Sequence, residues 1–261
     1  MVQLSGLENS VLEKVGTLAI IRRYPVKSMS GEDMESADVL LTGLDGDRVY
    51  AFVDQRRAKT KPDFPWLTAR ELSSMLLLNP EFHKEGAYSV SVLFPDNRRL
   101  EITDPRLIDY LQTASSRSLS QPRSLELVFS PKGNYDSHPI SLFGLQTVKA
   151  LAAETNLINL NPHRFRANFY VSWDNMRPFF ENDLVGRVLQ IGSQVKIRVD
   201  EKDTRCAMIN IDPLSGKSTP SILRTVVQNH GNCAGVYATV LQSGNVTVND
   251  RVYLQPLTKP S

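Results

Sequence analysis

Apolar residues in this chain come in short runs broken by Gly, Pro, Asp and Asn. Only three stretches carry a helical period. Val15 to Val26 is β-branched-rich and ends near Pro25, so it predicts a first strand. Ser36 to Thr42 predicts a second, the Gly43-Leu44-Asp45-Gly46-Asp47 stretch a turn, and Arg48 to Asp54 a third strand. Gln55 to Pro65 reads as a basic loop. Thr68 to Leu78 fits either a helix, through the capping-box spacing of Thr68 and Glu71, or a buried strand through Met75 to Leu78. Tyr88 to Phe94 and Arg98 to Thr103 flank Pro95-Asp96-Asn97 as a hairpin. Asp104 to Ala114 predicts a helix with Asp104 as N-cap and Pro105 at its first position.

Ser115 to Arg123 is Ser-rich and reads as a linker. Beyond it, strands are predicted over Leu125 to Phe129, Phe165 to Ser172, Val188 to Ile191, Val195 to Val199, Tyr237 to Leu241 and Arg251 to Leu254. The last two are joined through Gly244-Asn245. Helices are predicted over Gly144 to Thr155 and Ser221 to Asn229. Many short strands, few helices and no βαβ alternation imply a mainly β (α+β) fold of barrel or sandwich type. The expected division is a tail over 1–14, a β-rich domain over 15–116 and a β-barrel domain over 117–261.

Length and composition narrow this picture. The 261 residues are 41% hydrophobic and 22% charged, enough for a packed core. A net charge of +2 argues against nucleic acid as a partner. Two cysteines, Cys206 and Cys233, cannot make a disulfide framework and suggest a reducing compartment. No run of about 18 apolar residues exists for a transmembrane segment. A cytoplasmic location is expected.

Candidate chemistry lies in polar clusters at strand ends. Arg205-Cys206 opens an apolar run that closes in Asp212-Pro213-Leu214-Ser215-Gly216, so Cys206 is expected at a strand end beside a tight turn. A thiol next to a guanidinium ionises more readily and binds soft metals, although a lone Cys is more often a small buried hydrophobe. Lys27-Ser28 and Asp47-Arg48 offer cations and a hydroxyl for an anion, against the plainer reading of solvated strand ends. Asp136-Ser137-His138 places an acid, a hydroxyl and an imidazole together, as a proton donor or as a simple turn. Arg166 and Asn168 stand two apart, expected on one face of a strand. His163 reads as a loop residue and Cys233 as structural.

Six motifs in order, Tyr24-Pro25-Val26-Lys27-Ser28, Gly46-Asp47-Arg48, Thr68-Ala69-Arg70, Asp136-Ser137-His138-Pro139, Phe165-Arg166-Ala167-Asn168 and Arg205-Cys206 with Asp212-Pro213, resemble the MOSC family. That domain is named after the C-terminal part of molybdenum cofactor sulfurase. The chain looks most like the branch that includes the mitochondrial amidoxime-reducing component and its bacterial relatives. The resemblance implies an N-terminal β-rich domain followed by an antiparallel β-barrel with a molybdenum cofactor, Mo-molybdopterin. It implies Cys206 as the metal ligand and Cys206, Asp136 and His138 as the catalytic group. Lys27, Ser28, Arg48, Asp136, Ser137, His138, Arg166, Asn168, Thr204 and Arg205 would bind the cofactor. Ala167 stands where the family usually has Pro, and two cysteines cannot build a four-Cys iron–sulfur cluster within one chain. The implied activity is reduction of small N-hydroxylated substrates with a separate electron-transfer protein. The alternatives are a cofactor or sulfur carrier without turnover and a β-rich structural protein.

Overall fold

The structure is a computed structural model that describes residues 12–83, 88–119 and 123–256. Its strands are β1 (Glu13–Arg23), β2 (Glu32–Met34), β3 (Ser36–Leu40), β4 (Gly43–Leu44), β5 (Tyr50–Asp54), β6 (Asn79–His83), β7 (Ser89–Leu93), β8 (Arg99–Glu101), β9 (Leu125–Phe129), β10 (Ile140–Gly144), β11 (Phe169–Trp173), β12 (Val188–Ile191), β13 (Val195–Thr204), β14 (Cys233–Gln242), β15 (Gly244–Thr247) and β16 (Arg251–Leu254). The α-helices are α1 (Gln55–Thr60), α2 (Pro105–Leu119), α3 (Leu145–Glu154) and α4 (Ser221–His230).

Seven strands close into a barrel in the order β11-β10-β14-β13-β12-β16-β1, with β1 pairing back onto β11 and β2 extending one edge. The barrel departs from the expected antiparallel form at one pair. β10 and β11 run parallel, joined by a crossover through α3. Alternate residues along the strands turn inward, among them Leu18, Leu142, Val171, Ile191, Ile197, Val199 and Val236, and all are fully buried. Closure depends on a close approach at Gly16. A Cβ there would lie 2.8 Å from the Ser172 carbonyl oxygen and 2.9 Å from Val171 Cγ1.

A second core lies beneath the β6-β7-β8 meander, the β5-β9 pair and α2, built around Met29, Phe52, Met75, Val92, Leu107 and Leu111. Strands are shared across the expected boundary at 116/117. β1 belongs to the barrel, while β9 pairs with β5. Gly244-Asn245 is not a plain connection but opens β15, which pairs with β3.

Three local expectations are corrected. The helix predicted to Ala114 continues to Leu119, through the expected linker. The Ser115 and Ser116 hydroxyls donate to the Gln112 carbonyl at 3.0 and 2.7 Å, which lets serine sit inside the helix. The rest of that linker falls partly on 120–122, outside the described residues, as do residues 1–11 of the tail expected over 1–14, whose Glu13 and Lys14 instead open β1. The basic loop after Asp54 starts as α1, because the Asp54 carboxylate caps it, accepting from the Arg56 and Arg57 amides at 3.0 and 3.3 Å. Thr68 to Leu78 is neither α-helix nor strand but contains a 3-10 turn over Ser73–Leu77. No helix among the described residues is long and apolar enough to cross a membrane.

Because the contact at Gly16 includes backbone, it cannot be relieved by a rotamer change. Gly16→Ala is expected to lower the unfolding free energy by about 2 kcal/mol, measured by urea denaturation. An unchanged midpoint would show that the barrel closes without this approach.

Candidate functional site

The site begins where β1 ends. Tyr24 and Asp47 are both buried, and the Asp47 carboxylate accepts a hydrogen bond from the Tyr24 amide at 2.7 Å. Its other oxygen pairs with Arg48 Nη1, as the Asp47-Arg48 sequence suggests. The Arg48 amide donates to the Tyr24 carbonyl at 2.6 Å, and Arg48 Nη2 donates to the Arg166 carbonyl at 3.0 Å. The Tyr24 ring carries the guanidinium of Arg166 at 4.3 Å and that of Arg48 at 4.8 Å. Two like charges are thereby held against one aromatic ring.

The backbone here is unusual. Ser28, Arg48 and Arg166 have φ of 68°, 51° and 53°, a left-handed conformation uncommon outside glycine. Such residues cost free energy and persist where the surroundings over-determine them. Arg166 takes this conformation as the cap of a 3-10 turn over Pro162–Phe165. It is therefore not on a strand, and the expected shared face with Asn168 does not exist. The Asn168 side chain is buried behind the wall, accepting from the Ser141 amide and hydroxyl at 3.2 and 3.1 Å.

Lys27 is buried, donates to the Asn134 carbonyl at 2.6 Å and pairs with Asp136. Burial pushes its pKa down, as do the nearby Arg48 and Arg166, while Asp136 opposes them. Burial also works against the Asp136 carboxylate, but Lys27, Arg48 and Arg70 outweigh it and hold that carboxyl below its ordinary range. Burial and the same crowding of cations push Arg166 down to about 10, so it stays charged at neutral pH. Arg166 Nη1 donates to the Met29 carbonyl at 2.7 Å, while Nη2 is buried without a partner.

The opposite wall is the end of β13. Cys206 lies two residues past the strand, exposed, just before a 3-10 turn over Ala207–Asn210. Asp212 then closes the loop, its carboxylate accepting from the Leu214 and Ser215 amides at 2.9 and 3.0 Å. Cys206 thus sits at a strand end beside a tight turn, as expected. Arg205 departs from its expected role as activator of the thiol. Its guanidinium turns inward and donates to the Ala234 and Phe165 carbonyls at 2.6 and 2.9 Å. Arg205 is buried, while Cys206 is exposed.

Between these walls lies a cavity of about 400 Å³, within the range of small-molecule sites. Lys27, Ser28, Arg48, Asp136, Ser137, His138, Arg166, Thr204, Arg205 and Cys206 all line it, and Asn168 does not. His138 stands at the rim. Its Nδ1 lies 2.8 Å from the Ser137 hydroxyl and 3.4 Å from Glu201, its Nε2 lies 3.6 Å from Asp200, and its ring stacks on Tyr237. His163 and Cys233 lie outside the lining. Among the described residues no group of three or more His, Cys, Asp or Glu is placed to hold a metal ion.

Among the lining residues not singled out as site residues by sequence are Arg70, Tyr135, Arg164, Glu201, Asp203 and Tyr237. Arg70 had a signal in the Thr68-Ala69-Arg70 motif, and its guanidinium lies over the Phe64 ring at 5.0 Å. Asp203 had none, since the second half of β13 is too polar to read as a strand. Its side chain is only 4% exposed. Burial pushes its carboxyl up to about 6, against the opposing pull of Arg205 and a hydrogen bond from Tyr237.

Comparison with known proteins gives two family matches: the MOSC N-terminal beta barrel domain over residues 15–115 and the MOSC domain over residues 131–253. A molybdenum cofactor sulfurase of Caenorhabditis elegans is 24% identical over 227 residues. That match takes in 79% of this chain but 30% of the relative's length. Among solved structures, the YUAD protein of Bacillus subtilis is 12% identical, with a TM-score of 0.50 over 95% of this chain and 100% of that one. YiiM of Geobacillus stearothermophilus is 15% identical, with a TM-score of 0.36 over 46% of this chain and 55% of its own. The first of these structures supports the β-barrel fold.

Asp47→Ala leaves Arg48 buried without its carboxylate and the Tyr24 amide without its acceptor. Its unfolding free energy is expected to fall by about 3 kcal/mol or more, read from urea midpoints. A second expectation concerns pH. A carboxyl whose pKa is raised on folding binds its proton more tightly in the folded state, so it removes stability as pH rises from about 4 through about 6. In Asp203→Asn this part of the decline disappears, and the urea midpoint changes less between pH 4 and pH 7.5 than in the wild type. Parallel pH profiles in the two proteins would refute it.

Proposed function

Because the chain belongs to the MOSC family, we propose that its cavity binds the molybdenum cofactor through Cys206 and reduces small N-hydroxylated compounds. The observation that carries this reading is the cation set facing Cys206. Lys27, Arg48 and Arg166 converge on one cavity, and Arg166 Nη2 is buried without a partner. A buried guanidinium nitrogen lacking an acceptor is costly, and a phosphate oxygen would supply one. Cys206 is the one thiol among the described lining residues, and a thiolate is a soft metal ligand. The residues therefore fit an anionic pterin with a thiolate-bound metal.

In this reading Lys27, Arg48 and Arg166 hold the cofactor's phosphate, with the Ser28 hydroxyl as a neutral donor. Asp47 and the Tyr24 ring fix the guanidinium planes before the cofactor arrives, so little is reorganised on binding. Thr204 and Ser137 offer hydroxyls along the lining. The bound cofactor supplies the two-electron chemistry, with electrons from a separate protein. Cleaving the N–O bond of a hydroxylamine takes two electrons and two protons and yields an amine and water. Asp136 is poorly suited to giving a proton, since its carboxyl is held ionised by Lys27. It is better read as the group that orients Lys27. His138, at the rim among Ser137, Glu201 and Asp200, is placed for exchange with solvent.

Protein expressed with the cofactor pathway active is expected to contain close to one molybdenum and one pterin per chain. Cys206→Ser should lose at least about 100-fold in N-reduction with a chemical reductant. Metal-free wild type, or full turnover in Cys206→Ser, would overturn the assignment. Bound cofactor with no product would favour the carrier reading, which the likeness to a molybdenum cofactor sulfurase keeps in play.

A further inference from the structure

Three carboxyl side chains line the cavity: Asp136, Glu201 and Asp203. Asp136 is committed to Lys27. Glu201 stands at the rim, 54% exposed, accepting from the Ser137 hydroxyl at 2.9 Å. Asp203 differs from both. It ends the inward row of β13, which runs Val195, Ile197, Val199 through the apolar barrel before a charged residue takes the same side. The groups facing it come from four elements. Arg205 follows it, with Nη2 at 2.8 Å from its carboxylate but off the line of a hydrogen bond. Tyr237 of β14 hydrogen-bonds it. Asp136, ahead of β10, and Arg48, after β4, bear on it through their charges with opposite signs.

We propose that Asp203, steadied by Tyr237, is the proton donor of the cavity, delivering a proton to the substrate as its N–O bond breaks. The proposal rests on the reduction reading above. A donor needs a carboxyl that is neutral near working pH and open to the substrate space. Asp203 lines the cavity with its side chain only 4% exposed, and burial raises its carboxyl to about 6. The balance is simple. A hydroxylamine takes up two electrons from the external protein donor and two protons. The N–O bond breaks, an N–H bond forms, and the oxygen leaves as water. Asp203 gives one of the protons and is reprotonated from solvent, while the other comes from water. Tyr237 is a positioning residue. Its hydroxyl favours the carboxylate, so its loss should raise the Asp203 pKa further.

The first test needs no cofactor. Cofactor-free protein labelled with carbon-13 at aspartate carboxyls is titrated by NMR. One carboxyl is expected to titrate near pH 6, to vanish in Asp203→Asn and to move upward in Tyr237→Phe. A midpoint for Asp203 at the ordinary aspartate value of about 4 would overturn the proposal. The second test uses the loaded enzyme with a viologen reductant and an aryl amidoxime. Asp203→Asn is expected to keep its molybdenum and its KM within threefold and to lose about 100-fold in kcat. The limb of its pH profile near 6 should disappear, and Asp203→Glu should recover part of the rate. Wild-type kcat and pH profile in Asp203→Asn would refute the role. Wild-type protein that holds metal but turns over no N-hydroxylated probe defeats the reduction reading itself, and the donor role falls with it whatever the titration gives.

Discussion

The arrangement of this site depends on one buried carboxylate. Asp47 has no solvent exposure, and its two oxygens serve two different tasks. One holds the Tyr24 amide and so ends β1. The other holds Arg48. A buried charge is tolerable only when paired and hydrogen-bonded, and Asp47 meets both conditions. The same pairing lets Arg48 keep a left-handed backbone and stack on Tyr24, where Arg166 packs beside it. Without Asp47, two guanidinium groups would share one ring without the carboxylate that pairs with Arg48. The cationic wall is therefore built from the inside outward, starting from an acid that lies outside the cavity lining.

The cavity sits where three apolar clusters meet. Met208 packs against the core beneath the meander, while its neighbour Ile209 belongs to the cluster around Phe165 and Tyr170. Tyr24 and Lys27 follow directly from a barrel strand. Because each wall is rooted in a different packed body, the lining residues are held by cores rather than by loops alone. This matches what a rigid anion site requires: donors fixed before the ligand arrives.

Much of the fold was legible in the chain because its strands are short and bounded by strong turn chemistry. Leu125–Phe129, Val188–Ile191 and Arg251–Leu254 were read to the residue. α3 was read within one residue of each end. What was not legible depends on context that local pattern does not carry. Arg166 adopts positive φ, and no property of arginine announces it. Asp203 lies in the second half of a long strand, which is too polar to read as one. The Ser-rich segment after Ala114 looked like a linker by composition, yet it continues α2 because two hydroxyls found a carbonyl one turn back. Cofactor-site residue types were visible as motifs, while their division of labour was not. Arg205 and Asn168 proved to be bonded within the protein, and Asp203 was absent from the reading.

The pairing of β1 has a further meaning for how the molecule is made. β1 lies between β11 and β16, so its two long-range partners begin about 150 and 240 residues later in the chain. During synthesis the first strand emerges early and can pair only with the three-residue β2 until β11 appears. Its other edge stays open until β16 leaves the ribosome. Contacts so distant in sequence form late and slowly. Tyr24, Lys27 and Ser28 hang from the end of this strand, so the cationic wall cannot face Cys206 before the strands that hold β1 have been made. The two walls of the cavity are therefore brought together by pairings distant in sequence, not by local folding.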